Sequence, residues 1–218
     1  MLKRFIGTVG LMLVGAALAQ AAEMHAVVRD HKGILVADAV VLAVPVDPRS
    51  ALHARPPKDA VDQVDKQFVP YVKAIFVGST VRFPNSDNIR HQVYSFSPAK
   101  KFELPLYSGT DATPIVFDKP GVVVLGCNIH DWMIGYIYVS ETPFFAKTGP
   151  LGTAVISDMP AGEYRVRIWH PSMDHAEETT GRQVTLTADA PANAEWQIGL
   201  KPSIRVPRVS GSASPAYP

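Results

Sequence analysis

The apolar residues of this chain recur in short runs in which apolar and polar positions alternate. In residues 162–169, GEYRVRIW, Tyr164, Val166 and Ile168 fall on one face and the residues between them on the other. Successive side chains of a β-strand point to opposite faces, so this period of two predicts strands. Strands are predicted at residues 26–29, 37–44, 71–77, 80–83, 92–96, 113–117, 122–126 and 134–139, with further short strands around Val184 and Trp196. Many short strands separated by turn residues are typical of an all-β sandwich or barrel.

Two segments break this pattern. Residues 47–66 are polar and contain several prolines, so we predict a connection there without regular structure. Residues 203–218 are dominated by proline, serine and other residues that do not build a packed core. We therefore predict a disordered tail at residues 203–218.

The N-terminus carries an export signature. Lys3 and Arg4 precede an apolar run from Phe5 to Leu18, and small residues follow. This order is typical of a secretory signal peptide, and the apolar run is shorter than a membrane span requires. We predict a signal peptide at residues 1–22 and a periplasmic mature protein that has no membrane association after signal removal.

Composition and charge narrow the possible partners. The 218 residues are 47% hydrophobic and 19% charged, which is ordinary for a globular protein. Removing Lys3 and Arg4 with the signal leaves 19 of the 21 basic side chains against 20 acidic ones, a net charge of −1. Since the chain has no basic tract, nucleic acid and lipid headgroups are not expected partners.

The single cysteine stands close to two other residue types that bind metals. Cys127, His130 and Met133 fall within GCNIHDWM, on a short loop predicted between two apolar strands. An exported protein usually pairs its cysteines in disulfides, so an unpaired thiol is either buried and inert or kept for chemistry. The close spacing of three sulfur and imidazole donors favours chemistry.

A thiolate, two imidazoles and a weak axial thioether form the ligand set of an electron-transfer copper site. The second imidazole has to come from another part of the chain. His91, in FPNSDNIRHQVYSF, lies between two predicted strands of the same domain and supplies it best. The candidate ligands are therefore His91, Cys127, His130 and Met133.

Other interpretations of these residues remain open at this point. Each could be a buried core residue, or Cys127 and His130 could form a nucleophile and base, although no third orienting group is evident. Zinc usually draws on more cysteine and histidine and has little use for a thioether. Covalent haem attachment needs two cysteines. His170 and His175 flank Met173 in WHPSMDH, which is either a turn or a second copper contact.

At the candidate ligands the sequence resembles the cupredoxins, the blue copper proteins. The Cys-x2-His-x2-Met spacing is similar to that of amicyanin. The surrounding sequence is similar to that of periplasmic plastocyanin-like proteins of the methylamine utilisation type. The resemblance covers roughly residues 68–139 and implies a Greek-key sandwich with one type 1 copper on His91, Cys127, His130 and Met133. Many cupredoxins have asparagine after the first ligand histidine, where this chain has Gln92.

The segments on either side resemble a second kind of sandwich. Residues 24–46 and 148–200 are similar to carboxypeptidase-regulatory or transthyretin-like domains, and neither segment alone has enough strands to close a core. We predict that the two pair into one β-sandwich and that the cupredoxin domain, residues 67–142, is inserted between them. The alternative is that the cupredoxin domain is followed by a separate C-terminal sandwich.

These features predict a carrier of single electrons between redox proteins, and not an enzyme. Multicopper oxidases have histidines on both sides of the ligand cysteine, whereas Gly126 and Asn128 flank Cys127. The resemblance suggests a dehydrogenase or a c-type cytochrome as partner. Two alternatives are a copper storage or delivery protein and an interaction module with a vestigial copper site.

Overall fold

The structure is a computed structural model that describes residues 21–48, 56–109 and 112–202. The signal peptide predicted at residues 1–22 falls almost entirely outside the described residues, and the tail predicted at 203–218 falls entirely outside them. Within the described ranges the chain forms strands, connections and a short 3-10 helix at Glu177–Thr180. The prediction of an all-β sandwich is confirmed. Among the residues that the structure describes, no helix has the length and apolar composition of a membrane span.

The strands are numbered in chain order. They are β1 (Ala22–Asp30), β2 (Val40–Pro45), β3 (Lys58–Ala60), β4 (Asp62–Val64), β5 (Gln67–Val69), β6 (Val72–Phe76), β7 (Thr80–Arg82), β8 (His91–Ser97), β9 (Lys100–Tyr107), β10 (Ile115–Val116), β11 (Gly121–Leu125), β12 (Gly135–Ser140), β13 (Phe145–Lys147), β14 (Thr153–Met159), β15 (Gly162–Trp169), β16 (Arg182–Leu186) and β17 (Ala192–Ile198).

Strands from the two ends of the described chain share two sheets, which we call the flanking sandwich. One sheet has the order β14-β1-β17 and the other the order β13-β2-β15-β16. β1 is antiparallel to β14 and parallel to β17, and β2 lies between β13 and β15. Alternate side chains of β1 and β15, among them Val28 and Ile168, are fully buried in the core between the sheets. The alternation expected for residues 162–169 is confirmed.

Strands β3 to β12 form a second unit, which we call the central sandwich. It contains sheets with the orders β10-β7-β3 and β11-β12-β6 and two two-stranded hairpins, β4-β5 and β8-β9. Valine, isoleucine and phenylalanine dominate its core, because their branched or flat side chains pack well on a pleated surface. Cys127 and Met133 belong to the same buried cluster.

The polar segments contain strands that the hydrophobic pattern does not predict. Residues 47–66 were expected to be a connection, but β3 and β4 lie within this range, so that expectation was wrong there. β3 pairs in parallel with β7, and β4 pairs with β5. β9, KKFELPLY, is held along β8 and is buried mainly at Leu104. Pairing with a neighbour stabilises these strands, and β3 and β4 carry few apolar side chains of their own.

The two sandwiches pack against each other through β2. All four residues of Val40–Ala43 are buried, because this strand has a core on each face. Val41 and Ala43 belong to the core of the flanking sandwich, while Val40 and Leu42 pack with Val72 and Tyr138 of the central sandwich. A strand that is covered on both faces reads as a continuous apolar run.

Aromatic and polar contacts border this interface. The ring of Trp169 lies 5.3 Å from that of Tyr138 and 6.0 Å from that of Tyr136, measured between centroids. The Tyr138 hydroxyl donates a hydrogen bond to Glu177 at 2.8 Å, and Arg167 pairs with the same carboxylate at 3.2 Å. The interface therefore combines apolar burial with directional bonds that set one orientation.

Substitution of Leu42 tests this interface. Leu42 is 1% exposed and Leu151, in a turn of the flanking sandwich, is 71% exposed. We expect Leu42→Ala to lower the free energy of unfolding by about 2–5 kcal/mol, because it opens a cavity between the sandwiches. Leu151→Ala, the matched control, should change it by less than about 0.5 kcal/mol. Urea denaturation measures both, and equal effects of the two substitutions would contradict the packing described.

Candidate metal site

Backbone pairing brings the two distant candidate ligands together. His91 is the first residue of β8, and Cys127 comes two residues after the end of β11. Tyr94 and Gly126 exchange two backbone hydrogen bonds, at 3.1 and 3.0 Å, which tie β8 to the segment that carries Cys127. The imidazole and the thiol therefore start from fixed strand positions.

Three donors converge in the interior of the central sandwich. The ligand atoms of His91, Cys127 and His130 all lie within 4.8 Å of one another. Cys127 Sγ is 3.8 Å from His91 Nδ1, and the two imidazole centroids are 5.0 Å apart. The exposed fractions of the three residues are 0%, 2% and 8%, so His130 lies nearest to solvent.

The loop between β11 and β12 places His130 and Met133. The backbone N–H of Met133 donates to the carbonyl oxygen of His130 at 2.9 Å, and that of Ile134 donates to Trp132 at 3.1 Å. These bonds close a tight turn within four residues. Met133 is 1% exposed and packs in the same apolar cluster as Cys127. The Met133 side chain is thus buried in the core that also contains Cys127.

Gly126 allows the close packing beside Cys127. A Cβ atom at this position would lie 2.7 Å from the Tyr94 ring and 2.8 Å from its hydroxyl oxygen. Real Cβ contacts are not that short, so any other residue would push the ring or the strand aside. Glycine at this position therefore lets the Tyr94 ring pack beside the segment that carries the cysteine.

The thiol of Cys127 is adapted to lose its proton. Burial acts to raise its pKa, but a hydrogen bond with the His91 ring and donation from the backbone N–H groups of Gln92, Ile129 and His130 outweigh it. The result lowers the pKa of Cys127 to about 7. For His91, burial acts to lower the pKa, whereas Cys127 and a neighbouring carboxylate raise it. Metals bind the thiolate form, so the surroundings of the sulfur favour a metal ligand.

A carboxylate lies on the outer side of His91, which the hydrophobic pattern and the ligand spacing do not predict. Nε2 of His91 lies 2.6 Å from Oδ2 of Asp87, while Nδ1 faces Cys127. The available signal was an acidic residue four positions before the histidine in FPNSDNIRH. Gln92 was considered instead, and its side chain donates to Glu103 on β9 at 2.6 Å. Gln92 therefore contacts the sulfur through its backbone and not through its amide side chain.

The rim of the site is partly apolar. Ile129 and Trp132 are 48% and 39% exposed, and Asp131 is also exposed. The Trp132 ring lies 5.1 Å from that of His130, measured between centroids. The most accessible candidate ligand is therefore in contact with an aromatic ring that reaches the surface.

His170 and Met173 form a turn next to β15, as one of the two interpretations expected. The backbone N–H of Met173 donates to the carbonyl oxygen of His170 at 3.0 Å, and the N–H of His170 donates to the Met173 thioether at 3.2 Å. His175 pairs with Asp174. Burial lowers the pKa of His170 despite the nearby Asp38 carboxylate. Neither histidine belongs to the group of three donors around Cys127.

The donor set is compatible with copper binding. Soft thiolate suits Cu(I), imidazole suits both common oxidation states of copper, and a buried apolar surrounding limits access of water. The lowered pKa of Cys127 and the fixed strand positions meet the two requirements for a thiolate ligand, which are deprotonation and a constant place. The residues present therefore fit the metal.

No family model and no curated protein matches the chain. Among solved structures, the chain is similar to a purple cupredoxin from Nitrosopumilus maritimus, with 26% identity over 38% of this chain and 99% of that protein and a TM-score of 0.34. It is also similar to a copper-containing nitrite reductase from Thermus scotoductus, with 31% identity over 45% of this chain and 27% of that protein and a TM-score of 0.37. A third similar structure is a reduced amicyanin variant, with 20% identity over 41% of this chain and 96% of that protein and a TM-score of 0.35. The interpretation of the site rests on its own donors.

Proposed function

We propose that this protein is a type 1 copper protein that carries single electrons between redox partners. One copper ion per chain would be held by His91, Cys127 and His130, with Met133 as the weak axial ligand. The observation that carries the proposal is the buried group of one thiol and two imidazoles within 4.8 Å, with a buried thioether three residues from one of them. This is the ligand set of electron-transfer copper sites.

Each residue has a distinct part in this proposal. Copper, when bound, supplies one-electron chemistry by alternating between Cu(I) and Cu(II). Cys127 and His91 hold their donors at strand ends tied by the bonds between Tyr94 and Gly126. Because the same strands hold the donors in both states, little rearrangement accompanies electron transfer. His130, the least buried of the three, lies between the interior and the surface.

The location and the class of partner are part of the same proposal. The N-terminal pattern of Lys3, Arg4 and a short apolar run supports export to the periplasm. Gly126 and Asn128 beside Cys127 support a carrier over an oxygen-reducing enzyme, because neither residue can bind a further copper ion through a side-chain imidazole. We infer a dehydrogenase or a c-type cytochrome as the electron donor or acceptor.

We also infer that the chain has two domains, one inserted in the other. The pairing of β1 with β14 and β17, and of β2 with β15, supports a flanking domain of residues 24–46 and 148–200. The central domain, residues 67–142, would carry the copper. In this arrangement the flanking domain acts as a scaffold, since the buried face of β2 packs directly on the central sandwich.

The colour of the copper-loaded protein tests the proposal. We expect one copper per chain and an intense visible band from thiolate-to-copper charge transfer, because Cys127 is the single cysteine of the chain. Cys127→Ser should abolish the band. Visible absorption with metal analysis measures both, and a variant that keeps the band would exclude the proposed site. Release of copper on reduction, seen by voltammetry, would favour a storage or delivery protein instead.

Substitution of the thioether tests the axial position. Met133→Leu keeps a buried apolar side chain of similar volume, so the protein should remain folded. We expect it to retain copper and colour and to raise the reduction potential, because loss of a donor disfavours Cu(II) more than Cu(I). His91→Ala, in comparison, should greatly weaken copper binding. If Met133→Leu leaves the potential unchanged in protein-film voltammetry, Met133 is not a ligand.

The exposed rim supports an exit route for the electron at His130. Trp132 lies against the His130 ring and is 39% exposed, and Ile129 beside it is 48% exposed. Weak redox complexes have small interfaces, in which one apolar anchor contributes much of the affinity. We therefore place the docking surface for the redox partner on Ile129, Trp132 and the edge of His130.

A charge on this rim should slow electron exchange. Trp132→Glu introduces a carboxylate that would have to lose its water on docking, so we expect a lower rate with an unchanged visible band. Leu151→Glu is the matched control, since it adds the same charge at an exposed leucine of the flanking sandwich. Stopped-flow reduction by a periplasmic c-type cytochrome gives the rates. Equal rates for wild type and Trp132→Glu would move the exit route away from His130.

A further inference from the structure

The outer nitrogen of His91 has a carboxylate partner inside the protein. His91 is completely buried, and Oδ2 of Asp87 lies 2.6 Å from its Nε2. The Asp87 side chain is itself only 12% exposed. Because a carboxylate accepts and does not donate, this contact places a proton on Nε2. The lone pair of Nδ1 is then left for the side that faces Cys127.

A turn remote in sequence holds this carboxylate. Asp65 and Lys66 join β4 to β5, and both have left-handed backbone conformations, with φ of 51° and 59°. Their two backbone N–H groups point the same way and donate to the Asp87 carboxylate at 2.7 and 2.9 Å. A two-residue hairpin turn with positive φ at both positions has this geometry. Asp87 thus accepts from the turn and from His91 at the same time.

Asn85 fixes the backbone of the loop that carries Asp87. Its side-chain oxygen accepts from the N–H of Asp87 at 3.0 Å, and its amide nitrogen donates to the carbonyl oxygens of Ile89 and Tyr107, each at 2.9 Å. Asn85 is 4% exposed, and its backbone pairs with that of Gly109. The carboxylate therefore has a constant position relative to both β8 and β9.

We propose that Asp87, held by the Asp65–Lys66 turn, is a positioning residue for His91. Asp87 directs Nδ1 of His91 to the metal and stabilises Cu(II) relative to Cu(I). The part that concerns copper rests on the proposed function. Partners of this kind on the outer nitrogen of a ligand histidine set its tautomer and increase its basicity. A negative charge next to the imidazole also favours the more positive metal ion.

Three substitutions distinguish the positioning role of Asp87 from a merely structural role. Asp87→Ala removes the acceptor and the charge, whereas Asp87→Asn keeps an acceptor oxygen and removes the charge. Ser86→Ala is the matched control. Its hydroxyl donates to Asp62 at 2.8 Å, so it joins the same loop to the same hairpin by a bond that does not involve His91. A purely structural loop–hairpin contact would make Ser86→Ala and Asp87→Ala behave alike.

The test has a metal-free part and a copper part. In nitrogen-15 NMR of the metal-free protein, the Nε2 proton of His91 should exchange slowly with water in wild type and Ser86→Ala, and much faster in Asp87→Ala. In the copper-loaded protein, Asp87→Ala should lower the affinity for Cu(II) about 10- to 100-fold, the usual effect of losing such a partner. The affinity for Cu(I) should fall less, so the reduction potential should rise in both Asp87 variants and remain unchanged in Ser86→Ala.

The inference is overturned if the His91 ring proton of Asp87→Ala exchanges as slowly as that of the control. It is also overturned if both Asp87 variants keep the wild-type potential, or if Ser86→Ala shifts the potential as far as they do. Failure of the proposed function gives a different result, because the wild-type protein itself would then not bind copper. In that case the ring-proton exchange in the metal-free protein decides whether Asp87 positions His91.

Discussion

The two backbone hydrogen bonds between Tyr94 and Gly126 are the constraint on which the candidate site depends. They join β8 to the segment after β11, and so bring His91 next to Cys127 although 36 residues separate them in the chain. The absence of a side chain at Gly126 lets the Tyr94 ring lie against this junction. Once the pairing is made, local backbone bonds in the turn from His130 to Met133 bring the second imidazole to the same place.

The two sandwiches have different positions relative to this junction. Core side chains of the central sandwich surround Cys127 and Met133 on the inner side, which leaves His130 as the donor nearest to solvent. The flanking sandwich covers a different face of the central sandwich through Val40 and Leu42. β2 thus serves two cores at once, and this double burial couples the stability of the two units.

Sequence reasoning reaches those parts of the site that depend on local spacing. Cys127, His130 and Met133 are recognisable because one loop carries all three, and rim exposure of Trp132 follows from its place in that loop. His91 requires knowledge of which strands pair, and the signal that pointed to it was its place between two predicted strands of the same domain. Asp87 was missed, because its role depends on a left-handed turn at Asp65 and Lys66 whose amide groups leave no trace in hydrophobic patterning.

The same distinction applies to the fold. Strands with alternating apolar residues, such as β15, were predicted from their own side chains, since each buries one face. β3 and β4 were missed because cross-strand hydrogen bonds hold them and their side chains are mostly polar. Their place depends on neighbours that are distant in the chain. The continuous apolar run of β2 indicated a strand, but the sequence alone did not indicate that its second face packs against the other sandwich.

X-ray absorption at the copper edge tests the central claim most directly, because it reports the atoms around the metal in each oxidation state. The structure and its donor set predict one sulfur at short distance and two imidazole nitrogens in the oxidised protein, and the same three neighbours after reduction, with small changes of distance. A spectrum with only nitrogen and oxygen neighbours would contradict the assignment of Cys127. Loss of an imidazole on reduction would contradict a donor set that the strands hold constant.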